Sequence, residues 1–128
     1  MLKIQKKIKL LSVNECWQGR RFKTPAYKDY EKILMYTLPN HKINYNKYYI
    51  ICIFNFSSNR ADWDNPIKPL QDILQKKYKF NDCDITHALV FKNIVEKKDE
   101  GFEIHIGDAS NFCDDVACIL NKSKKQNS

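Results

Sequence analysis

The apolar positions of the chain follow strand-like and helical periods in separate segments. Residues 48–56 are rich in β-branched and aromatic side chains and apolar on both faces, which predicts a central strand. Residues 3–11 alternate apolar side chains with lysines and favour an opening strand with one solvated face, with a helix as the alternative. Residues 85–95 and 101–106 predict a hairpin, because the polar stretch 97–101 between them is typical of a turn.

Two segments carry the signals of a helix in the first two thirds of the chain. Thr24 can cap a helix and Pro25 suits its first position, so about residues 26–36 are predicted to be helical. Residues 65–77 have apolar side chains at helical spacing, and Pro66 and Pro69 can lie only in or before the first turn. Between the first strand and the first helix, a polar, basic and aromatic loop is expected.

A last helix over about residues 109–120 completes the pattern. These elements predict a single α+β domain over residues 1–121, with a mixed β-sheet flanked by helices, followed by a polar tail at residues 122–128 that frays. At 128 residues and 43% hydrophobic composition, the chain is long and apolar enough to bury a core. Disorder of the whole chain is thereby excluded.

The positive charge of the chain is unevenly placed. The formal net charge is +7. Residues 1–50 hold eleven basic against three acidic side chains, a net charge of +8, whereas residues 51–128 have a net charge of −1. A basic surface suits an acidic partner such as nucleic acid or an anionic membrane. The carboxylates gathered in the second part suggest that cations are held there.

The cysteines and the apolar runs bear on the compartment. The five cysteines are odd in number and match no zinc-module spacing, which favours free thiols in a reducing compartment. No run of about 18 apolar residues is present, and the lysine-rich first eleven residues differ from a secretory signal. We expect a cytoplasmic protein, encoded by a bacterium or a phage, that does not bind a membrane.

The candidate chemistry lies in two acidic segments joined by the second predicted helix. Asp62 and Asp64 are one residue apart, and in an extended segment this spacing points both carboxylates to one side. Asp82, just before the next strand, could fold back over this pair. Hard oxygen ligands without a histidine favour Mg²⁺ or Mn²⁺ over Zn²⁺. Lys68, in the first turn of the helix, could then offer positive charge to a reacting phosphate.

A structural interpretation of the same residues is also open. Asp62 and Asp64 could cap the helix, and Asp82 could be a surface residue of a turn. Lys68 could pair with Asp72 four residues later. A single D-x-D pattern is a weak signal, because it occurs by chance in many surface loops. Spacing alone therefore does not choose between a catalytic and a structural role.

The complete string is more specific than its parts. Residues 62–74 read DWDNPIKPLQDIL and residues 81–85 read NDCDI. Together they resemble the RusA family of Holliday junction resolvases, whose pattern is D-x-D-N, then Lys, then D-x-L, then an acidic pair before a strand. The resemblance covers about residues 4–107, including the loop that begins at Ser12. One departure is Asn81, where the family usually has the first aspartate of the pair.

The resemblance implies both a fold and a set of functional residues. The family fold is a small mixed sheet with helices that assembles as a homodimer. The metal-binding catalytic carboxylates would be Asp62, Asp64 and Asp82, and Lys68 would be the catalytic lysine. Asn65 and Asp72 match family positions but are expected to be structural supports. The implied cofactor is Mg²⁺, with Mn²⁺ as a possible substitute.

The basic and aromatic residues are candidates for contacting DNA. Arg20, Arg21, Lys23 and Arg60 are the preferred candidates for phosphate contacts, and the N-terminal lysines are others. Trp17 and Phe22 could stack on unpaired bases or could seal the edge of a core.

The function expected from these features is Mg²⁺-dependent hydrolysis of phosphodiesters in four-way DNA junctions, by a homodimer, in recombination and repair. The alternative is a catalytically weak or inactive DNA-binding protein that acts in recombination or phage DNA packaging.

Overall fold

A four-stranded mixed sheet organises the chain. The computed structural model describes residues 1–19 and 22–126, with only the backbone for residues 123–126. The strands of this sheet are β1 (Leu2–Lys7), β4 (Tyr48–Phe56), β5 (Ile85–Ile94) and β6 (Gly101–Asp108). Their order in the sheet is β1-β6-β4-β5, where β4 and β5 are parallel and the other two pairs are antiparallel. The predicted α+β class, with one small domain and a mixed sheet, is confirmed.

Three α-helices and a two-stranded ribbon complete the described residues. They are β2 (Trp17–Gln18), β3 (Phe22–Lys23), α1 (Pro25–Thr37), α2 (Ile67–Tyr78) and α3 (Phe112–Gln126). The predicted cap of α1 is present, since the Tyr27 amide donates to the Thr24 hydroxyl over 3.1 Å. The predicted last helix is longer than expected. It takes up most of the segment that was predicted to be a fraying tail, and residues 127–128 lie outside the described part.

Strand β4 is the centre of the sheet, as its sequence predicted. Alternate side chains such as Ile50 and Phe54 join the main core with α1 and α2, and both are at most 5% exposed. Tyr49 points to the opposite face, where its ring contacts Phe112 of α3 and its hydroxyl donates to Asp115 over 2.6 Å. Both faces of β4 are therefore buried, which explains why it lacks polar alternation.

The predicted hairpin between residues 85–95 and 101–106 is wrong. Strands β5 and β6 form at nearly these positions, but both pair with β4, which lies between them. The connection crosses the end of β4 through a short 3₁₀ turn, Lys97–Asp99, and is tied there by a hydrogen bond from the Val95 amide to the Phe56 carbonyl. The interior place in the sheet gives β4 hydrogen-bonded neighbours at both edges, and the chain spans its end with a short loop.

Helix α2 is fixed by its apolar stripe. Leu70, Ile73 and Leu74 are at most 1% exposed and face the sheet. The helix begins at Ile67 and ends at Tyr78, after which Lys79 takes a left-handed conformation that closes the helix. The opposite side of α2 stays at the surface and carries the predicted site residue Lys68.

An ion network joins α1 to α2. Glu31 accepts from Lys23 and from Lys76, each over 2.9 Å. Burial alone would raise the pKa of Glu31, but the hydrogen bonds and charges of the two lysines outweigh it and lower that pKa. The carboxylate therefore stabilises the packing of the two helices while it is ionised.

This network predicts a pH-dependent difference between the wild type and Glu31→Gln. Since the folded pKa is lowered, the stabilisation is present above the pKa of a free glutamate, about 4.3, and is lost as the pH falls through the folded pKa. We expect Glu31→Gln to lose about 1 kcal/mol of unfolding free energy at pH 7. In urea titrations from pH 7 to pH 3 the loss should shrink towards zero. Glu96→Gln, which removes a fully surface pair with Lys98, should change little at any pH. A constant loss for Glu31→Gln would contradict the ionic origin.

Candidate functional site

The D-x-D segment is a turn rather than an extended strand. The Asn65 amide donates to the Asp62 carbonyl over 3.3 Å, and the Ile67 amide donates to the Asp64 carbonyl over 3.1 Å. The expectation that this segment is extended is therefore wrong, and the alternation of side chains along a strand does not apply to its two carboxylates. The segment cannot stay extended because α2 begins at Ile67, so the chain must turn within these residues.

The two aspartates do not cap α2 through their side chains either. The residue before the helix is Pro66, which makes no side-chain capping bond. The side-chain amide of Asn65 donates to the Asp62 carboxylate over 3.4 Å, which links two residues of the D-x-D-N pattern. The capping interpretation of Asp62 and Asp64 is thus wrong, and Asp62 is held by Asn65.

Lys68 lies between two carboxylates. Its ammonium is 2.9 Å from Asp72, one helical turn later, and 3.9 Å from Asp82, which precedes β5. The hydrogen bond to Asp72 raises the pKa of Lys68; its partial burial opposes this, and the charges of Asp72 and Asp82 add to it. The pairing with Asp72 that spacing allowed is present. The contact with Asp82 is what brings two of the predicted catalytic residues together.

Asp82 is positioned by the exposed side of α2. Its amide donates to the Gln75 side chain over 2.8 Å, and its carboxylate accepts from the Gln71 side chain over 3.4 Å. Asn81, where the family pattern has an aspartate, accepts from the Cys83 amide over 3.2 Å and caps the 3₁₀ turn Asp82–Asp84. Asparagine and aspartate perform this capping equally well, so the departure from the pattern costs little locally.

The three predicted metal ligands are divided between two places. Asp62 and Asp64 lie on the turn before α2, whereas Asp82 lies beside the helix. Among residues 1–19 and 22–126, no group of three or more His, Cys, Asp or Glu side chains is placed to hold a metal ion. The chemistry of the donors still fits Mg²⁺, because all three are carboxylates.

A groove of about 660 Å³ opens beside the D-x-D turn, and Asp62 and Asn65 line it. Its walls come from the end of β1, the end of β4 and the connection between β5 and β6. Four lysines line this groove as well, namely Lys7, Lys9, Lys97 and Lys98. Glu15 and Glu100 line it too, and Lys7 and Lys98 are paired with Asp99 and Glu96. Lys9 and Lys97 are therefore the lysines of the groove best placed to contact a phosphate chain.

Lys97 and Lys98 were missed as candidate contacts. The predicted hairpin put them in a turn with no defined relation to Asp62. They reach the groove because the connection between β5 and β6 crosses the end of β4, from which the chain continues to Asp62. The sequence signal that could have found them is the apolar character of β4 on both faces, which is typical of an interior strand with a partner at each edge.

The four preferred DNA contacts have different surroundings. Arg20 and Arg21 lie outside the described residues. Lys23 forms an ion pair with Glu31, and its ammonium also lies 5.1 Å from the centre of the Tyr27 ring. Arg60 is exposed on the loop that precedes Asp62. Lys92 holds the backbone of this loop by donating to the Asn59 carbonyl over 3.1 Å. Arg60 is therefore better placed than Lys23 to contact a phosphate near the turn.

A second cavity of about 650 Å³ lies on the sheet face that α3 covers in part. Its buried centre is His105, which is 3% exposed and bonded to Glu103 at 2.7 Å. None of the predicted catalytic residues lines it. Of the four predicted catalytic residues, Asp62 alone lines the groove described above, and Asp64, Lys68 and Asp82 lie outside its lining. That groove is the better candidate because it adjoins the D-x-D turn.

Comparison with known proteins adds no family to this description. No protein-family model matches the chain, and no curated protein matches it. The resemblance to RusA resolvases therefore depends on the motif residues themselves. In the part of the chain that the structure describes, no helix has the length and apolar composition needed to cross a membrane.

Proposed function

We propose that the chain is a Mg²⁺-dependent, structure-selective endodeoxyribonuclease that cuts four-way DNA junctions as a homodimer in recombination and repair. The observation that carries the proposal is the contact between Lys68 and Asp82 at 3.9 Å. These residues belong to separate elements, α2 and the turn before β5, and both match positions of the RusA motif. A lysine on a solvated helix face does not need a contact with a second element. Lys68 makes one with Asp82, next to the D-x-D turn.

Lys68 is suited to stabilise negative charge on a reacting phosphate. Its raised pKa keeps the ammonium protonated at neutral pH, and the hydrogen bond to Asp72 restricts where it can point. A fixed cation lowers the barrier of phosphodiester hydrolysis because charge builds up on the phosphate oxygens in the transition state. Asp72 is then a positioning residue.

Asp62, Asp64 and Asp82 would hold Mg²⁺, and Mn²⁺ could replace it because both prefer oxygen ligands. When bound, the ion would supply Lewis-acid charge next to the scissile phosphate. Asn65 holds the Asp62 carboxylate, and Gln71 holds that of Asp82. These amides would fix the orientation of two of the three ligands. The lysines along the groove would contact the DNA backbone.

The homodimer follows from the symmetry of the substrate. A four-way junction has approximate two-fold symmetry and needs cuts on opposing strands, which two symmetric copies can make. A cytoplasmic location agrees with the five cysteines, all of which are free.

The proposal is tested by incubating the purified protein with Mg²⁺ and three labelled DNAs, namely a four-way junction, linear duplex of the same sequence, and single strands. We expect paired cuts in the junction and at least tenfold slower cutting of the other two. EDTA should stop the reaction, and Mn²⁺ should restore it. Equal cleavage of linear duplex would contradict the junction selectivity. Junction binding without any cleavage, with either metal, would favour the alternative of an inactive DNA-binding protein.

A further inference from the structure

Trp63 is exposed between two candidate metal ligands. It is 54% exposed, although tryptophan is mostly buried in folded proteins because its ring carries a large apolar surface. The chain has one other tryptophan, Trp17, which packs edge-on against the Tyr27 ring at 5.8 Å between centroids. No aromatic ring among the described residues packs against Trp63 in this way. About half of the Trp63 surface is therefore open to an external partner.

The backbone that presents Trp63 is held by hydrogen bonds. The bond from the Asn65 amide to the Asp62 carbonyl spans Trp63, and the bond from the Ile67 amide to the Asp64 carbonyl closes the next turn. The Asn65 carbonyl also accepts from the Val13 amide over 2.9 Å, and Lys92 donates to the Ala61 carbonyl. An exposed ring on a fixed turn loses little conformational entropy on binding, which favours recognition.

The neighbouring groups indicate what the ring would contact. Asp62 and Asp64 flank it in sequence, and Lys9 and Lys97 are cations of the adjoining groove that Asp62 lines. Trp63 does not itself line the groove, but it follows Asp62, which does, so a phosphate chain held by these two lysines would bring a base close to the indole. In linear duplex each base is covered by its neighbours, whereas bases at the centre of a junction or in a single strand can expose a face for stacking.

We infer that Trp63 stacks on an unstacked nucleobase beside the scissile phosphate and thereby determines the preference for branched over linear DNA. This inference rests on the proposed function and adds a specificity-determining residue to it. Base stacking on an aromatic side chain is sequence-tolerant, since every base has a flat face. The selectivity from Trp63 would therefore be for DNA structure rather than for sequence.

Fluorescence tests the contact directly, because Trp17→Phe leaves Trp63 as the single tryptophan. We expect saturating four-way junction, added with Ca²⁺ to prevent cleavage, to quench the emission of Trp17→Phe by at least half. Linear duplex at the same bound fraction, measured by anisotropy of labelled DNA, should quench it much less. Unchanged Trp63 emission at saturation would overturn the inference.

Binding and cleavage of the Trp63 variants test the consequence. Trp63→Ala should weaken junction binding about tenfold, an effect in the range of one lost stacking contact, and leave duplex binding within about twofold. Trp63→Phe should restore most of the junction affinity, since a phenyl ring still stacks. Equal losses on both DNAs, or no loss, would overturn the inference while the wild type still cuts junctions. If the wild type neither binds nor cuts any DNA, the proposed function fails and this inference with it.

Discussion

Asp64→Asn is expected to abolish junction cleavage while leaving DNA binding within about threefold. The substitution keeps the shape of the side chain and removes the negative charge that would hold Mg²⁺. Metal stabilisation of a phosphoryl transition state contributes several kcal/mol, so the rate should fall by about a thousandfold. The Asp64 carbonyl, which closes the turn with the Ile67 amide, is unchanged. The variant should therefore fold normally.

The measurement for Asp64→Asn is single-turnover cleavage of labelled junction at saturating protein, with binding measured separately in Ca²⁺. Asp29→Asn is the matched control, because Asp29 is an exposed aspartate of α1 that adjoins neither the groove nor the turn. It should cut like the wild type. Normal cleavage by Asp64→Asn would show that this carboxylate holds no metal, and the site would have to be placed elsewhere.

Gly101→Ala is expected to cause the largest loss of stability. Gly101 is the first residue of β6 and pairs with Lys7 of β1. An added Cβ would lie 2.1 Å from the Lys6 carbonyl oxygen and 2.9 Å from the Lys7 Cα. Both are backbone atoms that cannot move without disturbing the pairing of β1 with β6. We expect a loss of about 3 kcal/mol or more of unfolding free energy, the upper part of the range for overpacking.

Urea unfolding of Gly101→Ala and Gly19→Ala separates steric clash from backbone strain. Gly19 has a φ of +69° and nothing within 4 Å of an added Cβ, so the same exchange there should cost only about 1 kcal/mol. Gly101→Ala should also weaken DNA binding, because Lys7 and Lys9 line the groove at the end of β1. Similar stabilities of the two variants would show that β1 can move away from Gly101 at little cost.

Local signals in the sequence predicted the elements well. The run at residues 48–56 predicted β4 with its bounds, because a short apolar run rich in β-branched and aromatic side chains is typical of a buried strand. Thr24 and Pro25 located the start of α1, since capping is decided by a few adjacent residues. The apolar stripe of α2 likewise followed from spacing alone.

Pairing between distant segments could not be predicted in this way. The hairpin prediction used Gly101 as a turn residue, yet the structure uses it because β1 approaches too closely for a side chain. Strand order depends on which strands hydrogen-bond to the two edges of β4. That choice is a property of the whole sheet. Because the predicted hairpin put Lys97 and Lys98 in its turn, they were not considered as residues of the site.

Sequence spacing predicted one contact in the region of the candidate site, the pair that the structural interpretation of Lys68 expected. The pattern correctly put Lys68 near Asp72, because four residues along a helix bring side chains together. The contact of Lys68 with Asp82 depends on Gln71 and Gln75, whose positioning roles no local pattern indicates. The D-x-D turn differed from the extended segment because hydrogen bonds to the following residues decide its shape.

The pairing of β1 with β6 has a consequence for synthesis of the chain. Lys7 lies opposite Gly101, so one wall of the groove comes from the first residues and another from the last third of the sequence. Contacts of such high sequence separation form late, because long loops must close first. While the protein is being made on the ribosome, its N-terminal lysines cannot gather with Lys97 and Lys98 until β6 has emerged. The groove can therefore form only after β6 has been made and has left the ribosome.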